Sequence, residues 1–245
     1  MSDVDFGYRK VSASRKTELV GDVFHSVARR YDVMNDLMSL GLHRVFKRMT
    51  LQMSGVRPGH RVLDLAGGTG DMSALFAAAV GSRGQVVLTD PNASMMAVGR
   101  DRLWNQGHAN VALCQAPGES LPFSDDSFEV ACISFGLRNF TDKDRGLLEI
   151  HRVLKPGGVL IVLEFSRPQS PLIDSAYRVF QSIWPLAGRA IVGDSASYQY
   201  LVESIRVHPD QHALKQMFED AGFEDVSFSN LMSGVAAIHR GVKPR

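Results

Sequence analysis

Short apolar runs bounded by Gly, Pro or Asp alternate with stretches of helical spacing through the middle of this chain. Each run has the length of a buried strand. The strand candidates are 61–65, 85–89, 111–115, 129–134 and 159–164, and helical stretches near 72–79, 92–105 and 143–154 separate them. This alternation predicts an α/β fold with a doubly wound, mostly parallel sheet.

Two helix boundaries follow from local residues. Asp142 is a good N-cap for the helix after it, and the run Lys-Pro-Gly-Gly at 155–158 ends that helix. Pro209 suits the first turn of a later helix that ends at Gly222. The last two apolar runs, near 226–228 and 235–239, flank a short segment with Gly234. They predict an antiparallel hairpin that closes one edge of the sheet.

The chain is expected to form one domain over 21–245, preceded by a polar, mobile segment over 1–20. Helical spacing over 21–56 predicts an N-terminal lid. The alternation breaks at about 168–207, where an apolar stretch with Phe180, Trp184 and Pro185 predicts a cap inserted over the sheet. Loops and insertions of this kind often set substrate specificity.

Composition excludes several classes of function. The 245 residues include 27 basic and 26 acidic side chains, so no electrostatic footprint for nucleic acid is expected. Cys114 and Cys132 lie in separate apolar runs and are expected to be reduced thiols. No run reaches the roughly 18 apolar residues that cross a bilayer. The sequence therefore favours a cytoplasmic protein without a transmembrane segment.

A glycine-rich turn follows the first strand, in the sequence VLDLAGGTGDMS at 62–73. Asp90 ends the next strand, 20 residues after Gly70, where a carboxylate accepts hydrogen bonds from the ribose of a nucleoside. Asp64 and Asp71 flank the turn and would repel a pyrophosphate, whereas they suit an amino group and a sulfonium. This favours S-adenosylmethionine, with a dinucleotide or an empty structural turn as alternatives; no Gly-Lys-Ser/Thr follows, so the loop is not a P-loop.

Three further stretches are more specific than the glycine turn. They are 31–39 (YDVMNDLMS, with His43 and Arg44 after it), 134–139 (SFGLRN) and 152–158 (RVLKPGG, leading to EFS at 164–166). Together with 200–206 and 236–241 they resemble the UbiE/COQ5 methyltransferases, which methylate demethylmenaquinol and a methoxy-polyprenyl-benzoquinol. The resemblance spans about residues 20–243, and Phe46 stands where the family usually has Trp.

The resemblance implies a class I methyltransferase fold and S-adenosylmethionine as methyl donor. Such enzymes place an acidic or amide side chain after the third strand, near the adenine; here Pro117 and Gly118 occupy those positions. Ser134 is expected where donor and acceptor meet. The predicted cofactor-binding residues are Asp64, Gly68, Thr69, Gly70, Asp90, Pro117, Gly118 and Ser134.

A ring carbon becomes nucleophilic only when a neighbouring hydroxyl is deprotonated, so the acceptor is expected to be a prenylated quinol and not a quinone. Arg138 is the first candidate for stabilising the phenolate, with Asn139 orienting the same ring. Because an arginine stays protonated, the proton is expected to leave to water, Tyr31 or His43. The alternative is that Arg138 pairs with an acid of a loop.

Other assignments stay open at this stage. Tyr31 and Asn35, four residues apart, either close over the cofactor or pack as core residues. A groove for an isoprenoid tail is one interpretation of Leu172, Ile173, Val179, Phe180, Ile183 and Trp184, and ordinary core packing is the other. Arg206 and Tyr198 either line the acceptor pocket or do not. His208 and His212 have the spacing of a metal pair, but no third ligand is evident and no metal is predicted.

Two rival functions remain open. One is methylation of another small phenol or amine, because methyltransferase cores are reused widely. The other is a non-catalytic subunit of a quinone-synthesis assembly. An apolar acceptor is expected either to be met at a membrane surface or to be delivered by a partner protein.

Overall fold

The computed structural model describes residues 3–28, 35, 36, 38–191 and 196–245, with the backbone alone at 27 and 185–191. Seven strands form the central sheet of this part of the chain: β3 (Arg61–Leu65), β4 (Gln85–Thr89), β5 (Val111–Cys114), β6 (Phe128–Ser134), β7 (Leu154–Phe165), β8 (Glu224–Leu231) and β9 (Ala236–Val242). Their order is β5-β4-β3-β6-β7-β9-β8. The first five are parallel, and β9 runs antiparallel between β7 and β8. The predicted doubly wound sheet and C-terminal hairpin are confirmed.

Eight helices have described bounds: α1 (Ala13–Val27), α2 (His43–Met53), α3 (Asp71–Val80), α4 (Ala93–Asn105), α5 (Lys143–Val153), α6 (Pro171–Ile191), α7 (Ala196–Val207) and α8 (Gln211–Asp220). Side chains alternate across each buried strand, so the sheet presents two apolar faces. One face packs against α2, α3, α4, α6 and α7, and the other against α5 and α8. Helices on both faces explain why the parallel strands are apolar throughout.

The predicted cap at Asp142 is confirmed, since its side chain accepts a hydrogen bond from Arg145 N at 3.0 Å. The prediction for Pro209 is wrong. Asp210 caps α8 by accepting from His212 N and Ala213 N, and Pro209 precedes the cap. A carboxylate supplies the acceptor that the free N–H groups of a first turn require, which a proline cannot do.

The structure corrects the expectation of a mobile segment over 1–20. Residues 4–11 form an antiparallel hairpin of β1 (Val4–Phe6) and β2 (Arg9–Val11), and α1 begins at Ala13. Ser12 caps α1 by accepting from Arg15 N. Phe6 is buried and stacks on Tyr200 of α7, with ring centroids 4.4 Å apart. This aromatic contact with a distant helix helps to anchor the hairpin.

The region expected to form a cap, about 168–207, contains α6 and α7. Phe180 and Trp184 face inward, and the Trp184 ring lies 6.5 Å from that of Phe165. Leu172, Val179 and Ile183 instead face outward, with 79%, 66% and 52% of their surfaces exposed. The residues considered for one isoprenoid groove therefore divide between two faces of α6.

No helix among the described residues is long and apolar enough to cross a membrane.

Candidate active site

A cavity of about 740 Å³ lies at the carboxyl ends of the parallel strands, where open α/β sheets bind ligands. Ala66, Gly68, Asp90, Pro117, Gly118, Phe135, Gly136 and Asn139 line its sheet side. Helix α1 lines the opposite side through Thr17, Val20, Gly21, Phe24 and His25. The cavity therefore has a floor of strand ends and a roof that the N-terminal helix supplies.

The glycine turn connects β3 to α3 as predicted. Gly68 and Gly70 have φ of +55° and +82°, in the left-handed region that side chains disfavour. Gly70 N donates to Gly67 O at 2.9 Å, and Gly70 immediately precedes the first residue of α3. The turn thus brings the N-terminal end of α3, with the N–H groups of its first turn, toward the carboxyl ends of the strands. Gly68 lines the large cavity, whereas Gly70 shapes the turn.

Asp90 lies on the wall of the large cavity, next to the glycine turn. Its Oδ2 accepts from Gly68 N at 3.0 Å and its Oδ1 from Asn92 N at 2.8 Å. Each carboxylate oxygen can accept a second hydrogen bond, so acceptor capacity for two hydroxyls is left. Burial raises the pKa of Asp90 to about 6. This geometry suits the adjacent hydroxyls of a ribose.

A smaller cavity adjoins the turn and contains Asp64, Thr69 and Ser134 of the predicted set. Ser73 Oγ donates to Asp64 Oδ2 at 2.6 Å, and burial raises the pKa of Asp64 to about 6. Ser134 Oγ is buried and has no hydrogen-bond partner among the described residues. An unpartnered buried hydroxyl at a cavity is typical of a ligand-binding position.

Lys47 of α2 also lines the smaller cavity, although it is absent from the residues predicted above. Its side chain is 9% exposed, and Nζ donates to Asp71 Oδ2 at 2.9 Å. Asp71 pairs on its other side with Arg102. The acids that flank the glycine turn were a signal that a nearby cation is needed, but α2 lies about 20 residues away in sequence and its placement is a tertiary property.

Pro117 and Gly118 line the large cavity without offering a polar side chain. A Cβ built on Gly118 would collide with the ring of Phe140, which is buried against it. The polar side chain usual at this place is therefore sterically excluded. The phenylalanine ring contributes an apolar wall, and backbone groups are left to contact an adenine.

Arg138 is not placed on the wall of either cavity. Its side chain is 2% exposed, and NH1 donates to Glu164 Oε1 at 2.7 Å and to Phe135 O at 2.5 Å. Glu164 is the penultimate residue of β7 and also accepts from Arg138 N. Arg138 thus pairs with an acid, as the alternative interpretation expected, but that acid lies on strand β7 and not on a loop. The guanidinium holds together the loop that follows β6, and its direct contact with an acceptor oxygen stays a prediction.

Asn139, the next residue, does line the large cavity. Its Oδ1 accepts a hydrogen bond at 3.0 Å from the hydroxyl of Tyr200. Tyr31 lies outside the described residues, so its predicted role stays a prediction. Asn35 is described and is buried.

Three other expectations are resolved by contacts. His43 is buried, and its Nε2 contacts Asp36 Oδ1 at 2.8 Å, outside both cavities; burial lowers its pKa. Arg206 is exposed, donates to the hydroxyl of Tyr8 and lines neither cavity. His208 precedes α8 and is buried, while His212 packs on Phe228, so the spacing does not place the two on one helix.

Helix α1, the roof of the cavity, is held by polar contacts that no sequence motif predicts. Lys16 Nζ donates to Phe140 O at 2.6 Å, and Asn92 Nδ2 donates to Gly21 O at 3.1 Å. His25 Nδ1 lies 2.7 Å from Ser94 Oγ. Burial, followed by the charge of Lys143, lowers the pKa of Lys16 to about 8. Helix α1 is therefore attached to strand ends and loops on both sides of the cavity.

The sheet order and the position of Asp90 place the chain among class I methyltransferases, which take a methyl group from S-adenosylmethionine. The residues present fit this cofactor. Asp90 offers acceptors for the ribose, Lys47 supplies a cation near the turn, and the buried hydroxyl of Ser134 has no partner in the described part of the chain.

Residues 10–243 match the model of the ubiE/COQ5 methyltransferase family, and the chain belongs to this family. It is 56% identical to the ubiquinone/menaquinone biosynthesis C-methyltransferase UbiE of Ectopseudomonas mendocina, over 98% of this chain and 94% of the relative. The protein of the same name from Cellvibrio japonicus is 54% identical, over 98% and 97%. A methyltransferase structure from Aquifex aeolicus has a TM-score of 0.61, covering 85% of this chain and 97% of that one; at 16% identity it supports the fold alone.

Proposed function

We propose that this protein methylates a ring carbon of a prenylated quinol in ubiquinone and menaquinone biosynthesis, with S-adenosylmethionine as donor. The observation that carries the proposal is the 56% identity over 98% of the chain to a C-methyltransferase of that pathway. The geometry adds a built donor site, formed by the glycine turn and Asp90, beside a cavity with apolar and aromatic walls.

The chain's own residues divide the work at the donor site. Asp90 accepts hydrogen bonds from the ribose hydroxyls, and backbone groups at Gly68 lie beside it. Lys47, the cation of the smaller cavity, pairs with the carboxylate of the methionyl part. When bound, the cofactor supplies an electrophilic methyl group on a sulfonium. Transfer is an in-line displacement, so alignment and exclusion of water are the main tasks of the protein.

On the acceptor side, Asn139 supplies a polar group at the cavity wall. A quinol carbon attacks only as the ring loses a hydroxyl proton, and a hydrogen bond to the resulting phenolate favours that form. Arg138 acts indirectly in this proposal. Its ion pair with Glu164 fixes the loop that carries Asn139, and the phenylalanine rings at 135 and 140 keep water from the reacting atoms.

An acceptor screen with purified protein and isotopically labelled S-adenosylmethionine tests the reaction. Demethylmenaquinol, 2-methoxy-6-polyprenyl-1,4-benzoquinol or both are expected to gain one methyl group. The oxidised quinones are expected to gain none. Transfer to an unrelated phenol or amine alone would support the first rival function. Cofactor binding with no turnover on any acceptor would support the non-catalytic role.

The outward face of α6 suggests how an apolar acceptor is reached. Leu172, Ala176, Val179 and Ile183 are spaced by four, three and four residues, so they lie along one side of the helix, and all are exposed. We assign this stripe to contact with the membrane that holds the prenyl tail. The inward face of the same helix packs Phe180 and Trp184 toward Phe165, on the acceptor side of the sheet.

The stripe is tested with vesicles of phosphatidylethanolamine and phosphatidylglycerol. Val179→Glu combined with Leu172→Glu is expected to reduce co-sedimentation and the methylation of vesicle-embedded quinol, but not that of a short-tail quinol in solution. Leu148→Glu is the matched control, because Leu148 is 55% exposed on α5 at the other face of the sheet. Equal loss for both variants, or none for either, would reject the membrane assignment.

A further inference from the structure

We propose that Tyr200 is a positioning residue: its hydroxyl fixes the amide of Asn139 so that Nδ2 donates into the acceptor side of the cavity, and the N-terminal hairpin holds Tyr200 in place. The proposal rests on the proposed function, because it specifies how that acceptor site presents a hydrogen-bond donor.

The direction of the amide follows from one contact. The Tyr200 hydroxyl donates to Asn139 Oδ1 at 3.0 Å. This engages the amide oxygen and leaves Nδ2, a donor of two protons, for the cavity that Asn139 lines. Burial raises the pKa of Tyr200, so the hydroxyl keeps its proton and continues to donate throughout the physiological range.

A fixed donor suits a phenolate acceptor. A carboxamide that rotates freely presents either its oxygen or its nitrogen, and its oxygen would repel a phenolate. Holding the amide in one orientation removes the unproductive state before the acceptor binds. A hydrogen bond of this kind contributes about a factor of ten in rate or affinity.

The ring of Tyr200 is itself fixed from the other end of the chain. Phe6 of β1 stacks on it with an interplanar angle of 19°, and both residues are 5% exposed. The turn after Phe6 is anchored to α7, since Tyr8 N donates to Glu203 Oε2 at 3.2 Å. Gly7 has φ of +58°, and a Cβ there would collide with the Glu203 side chain. The hairpin is therefore shaped to one face of α7, the face that carries Tyr200.

A double-mutant cycle on the full-length enzyme separates positioning from packing. Tyr200→Phe keeps the ring and its stacking and removes only the hydroxyl. It is expected to lower kcat/KM for the quinol about tenfold, with S-adenosylmethionine affinity and Tm unchanged. Asn139→Ala is expected to lower kcat/KM at least as much. In the Asn139→Ala background, Tyr200→Phe should then have no further effect.

Tyr8→Phe is the matched control, because it removes a hydroxyl from the exposed end of the same hairpin and keeps the backbone N–H that binds Glu203. Its kcat/KM is expected to equal that of the wild type. Multiplicative losses from the two site variants, or a Tyr200→Phe enzyme with unchanged kcat/KM, would overturn the proposal. The wild-type enzyme serves as the test of the reaction itself: if it fails to methylate the quinols, the proposed function fails, whereas a failed cycle on an active wild type removes only the role of Tyr200.

Discussion

Arg138 and Glu164 form an ion pair of 2.7 Å in which each side chain is only 2% exposed. Glu164 also accepts from the backbone N–H groups of Arg138 and Phe165, so its negative charge is compensated from several directions. The pair links the end of β7 to the loop after β6, which carries Asn139 on the cavity wall.

Removing one partner of this pair leaves an uncompensated buried charge. Arg138→Leu is therefore expected to lower the free energy of unfolding by about 3–5 kcal/mol, as measured by urea denaturation. The combined variant Arg138→Leu/Glu164→Met should recover most of that stability, because it removes both charges. Additive losses in the double variant would show that the charge is not the cause.

Cofactor affinity should depend on the ionisation of Asp90. The raised pKa of about 6 means that the carboxylate becomes protonated as the pH falls through 6 and then loses acceptor capacity for the ribose. Calorimetry should show S-adenosylmethionine binding about tenfold weaker at pH 5 than at pH 7.5. The sign for the free protein is opposite: a carboxyl whose pKa rises on folding costs stability when ionised, so that cost is relieved as the pH drops below 6.

Asp90→Asn provides the control for this pH dependence. It should bind the cofactor weakly and without the part of the pH response that belongs to Asp90. Asp64, whose pKa burial also raises to about 6, is left intact in that variant. An Asp90→Asn protein with the full wild-type pH profile would assign the response to Asp64 instead.

The absence of a polar side chain at position 118 is explained by Phe140, and this is testable. Gly118→Ser should lower the free energy of unfolding by about 1–3 kcal/mol, because the new Cβ displaces the buried ring. In a Phe140→Leu background the same substitution should cost less. If the loss is the same in both backgrounds, the ring is not what excludes a side chain.

Lys47→Met should weaken S-adenosylmethionine binding by about tenfold or more, since a hydrogen bond to a charged group is lost. Decarboxylated S-adenosylmethionine should bind the variant and the wild type alike, because it lacks the group that Lys47 is proposed to hold. Lys155→Met is the control. It also loses an ion pair, with Glu129, but at the amino ends of β6 and β7, opposite the strand ends that line the cavities. If Lys47→Met prefers S-adenosylmethionine over the decarboxylated analogue by the same factor as the wild type, the proposed role of Lys47 is contradicted.

The sequence predicted the parallel strands well because each is apolar on both faces and ends at a turn residue. The glycine turn and Asp90 were predictable for a similar reason, since their roles depend on local spacing. The environment of Arg138 could not be predicted from the sequence. Its partner Glu164 lies on β7, and only the register of β6 against β7 brings the two residues together. The hairpin of residues 4–11 was missed because its strands are only three residues long and mix apolar with charged residues. Its anchor, Tyr200, lies far away in the sequence.

Ala66 and Phe135, the residues that follow β3 and β6, both have positive φ, at +53° and +58°, although neither is a glycine. Such backbone persists only where the surrounding packing dictates it. The ends of these two neighbouring strands are accordingly the stiff side of the cavity, while α1 opposite them is attached through individual polar contacts. We expect α1 to move when a new S-adenosylmethionine enters the cavity, while the ends of β3 and β6 stay in place.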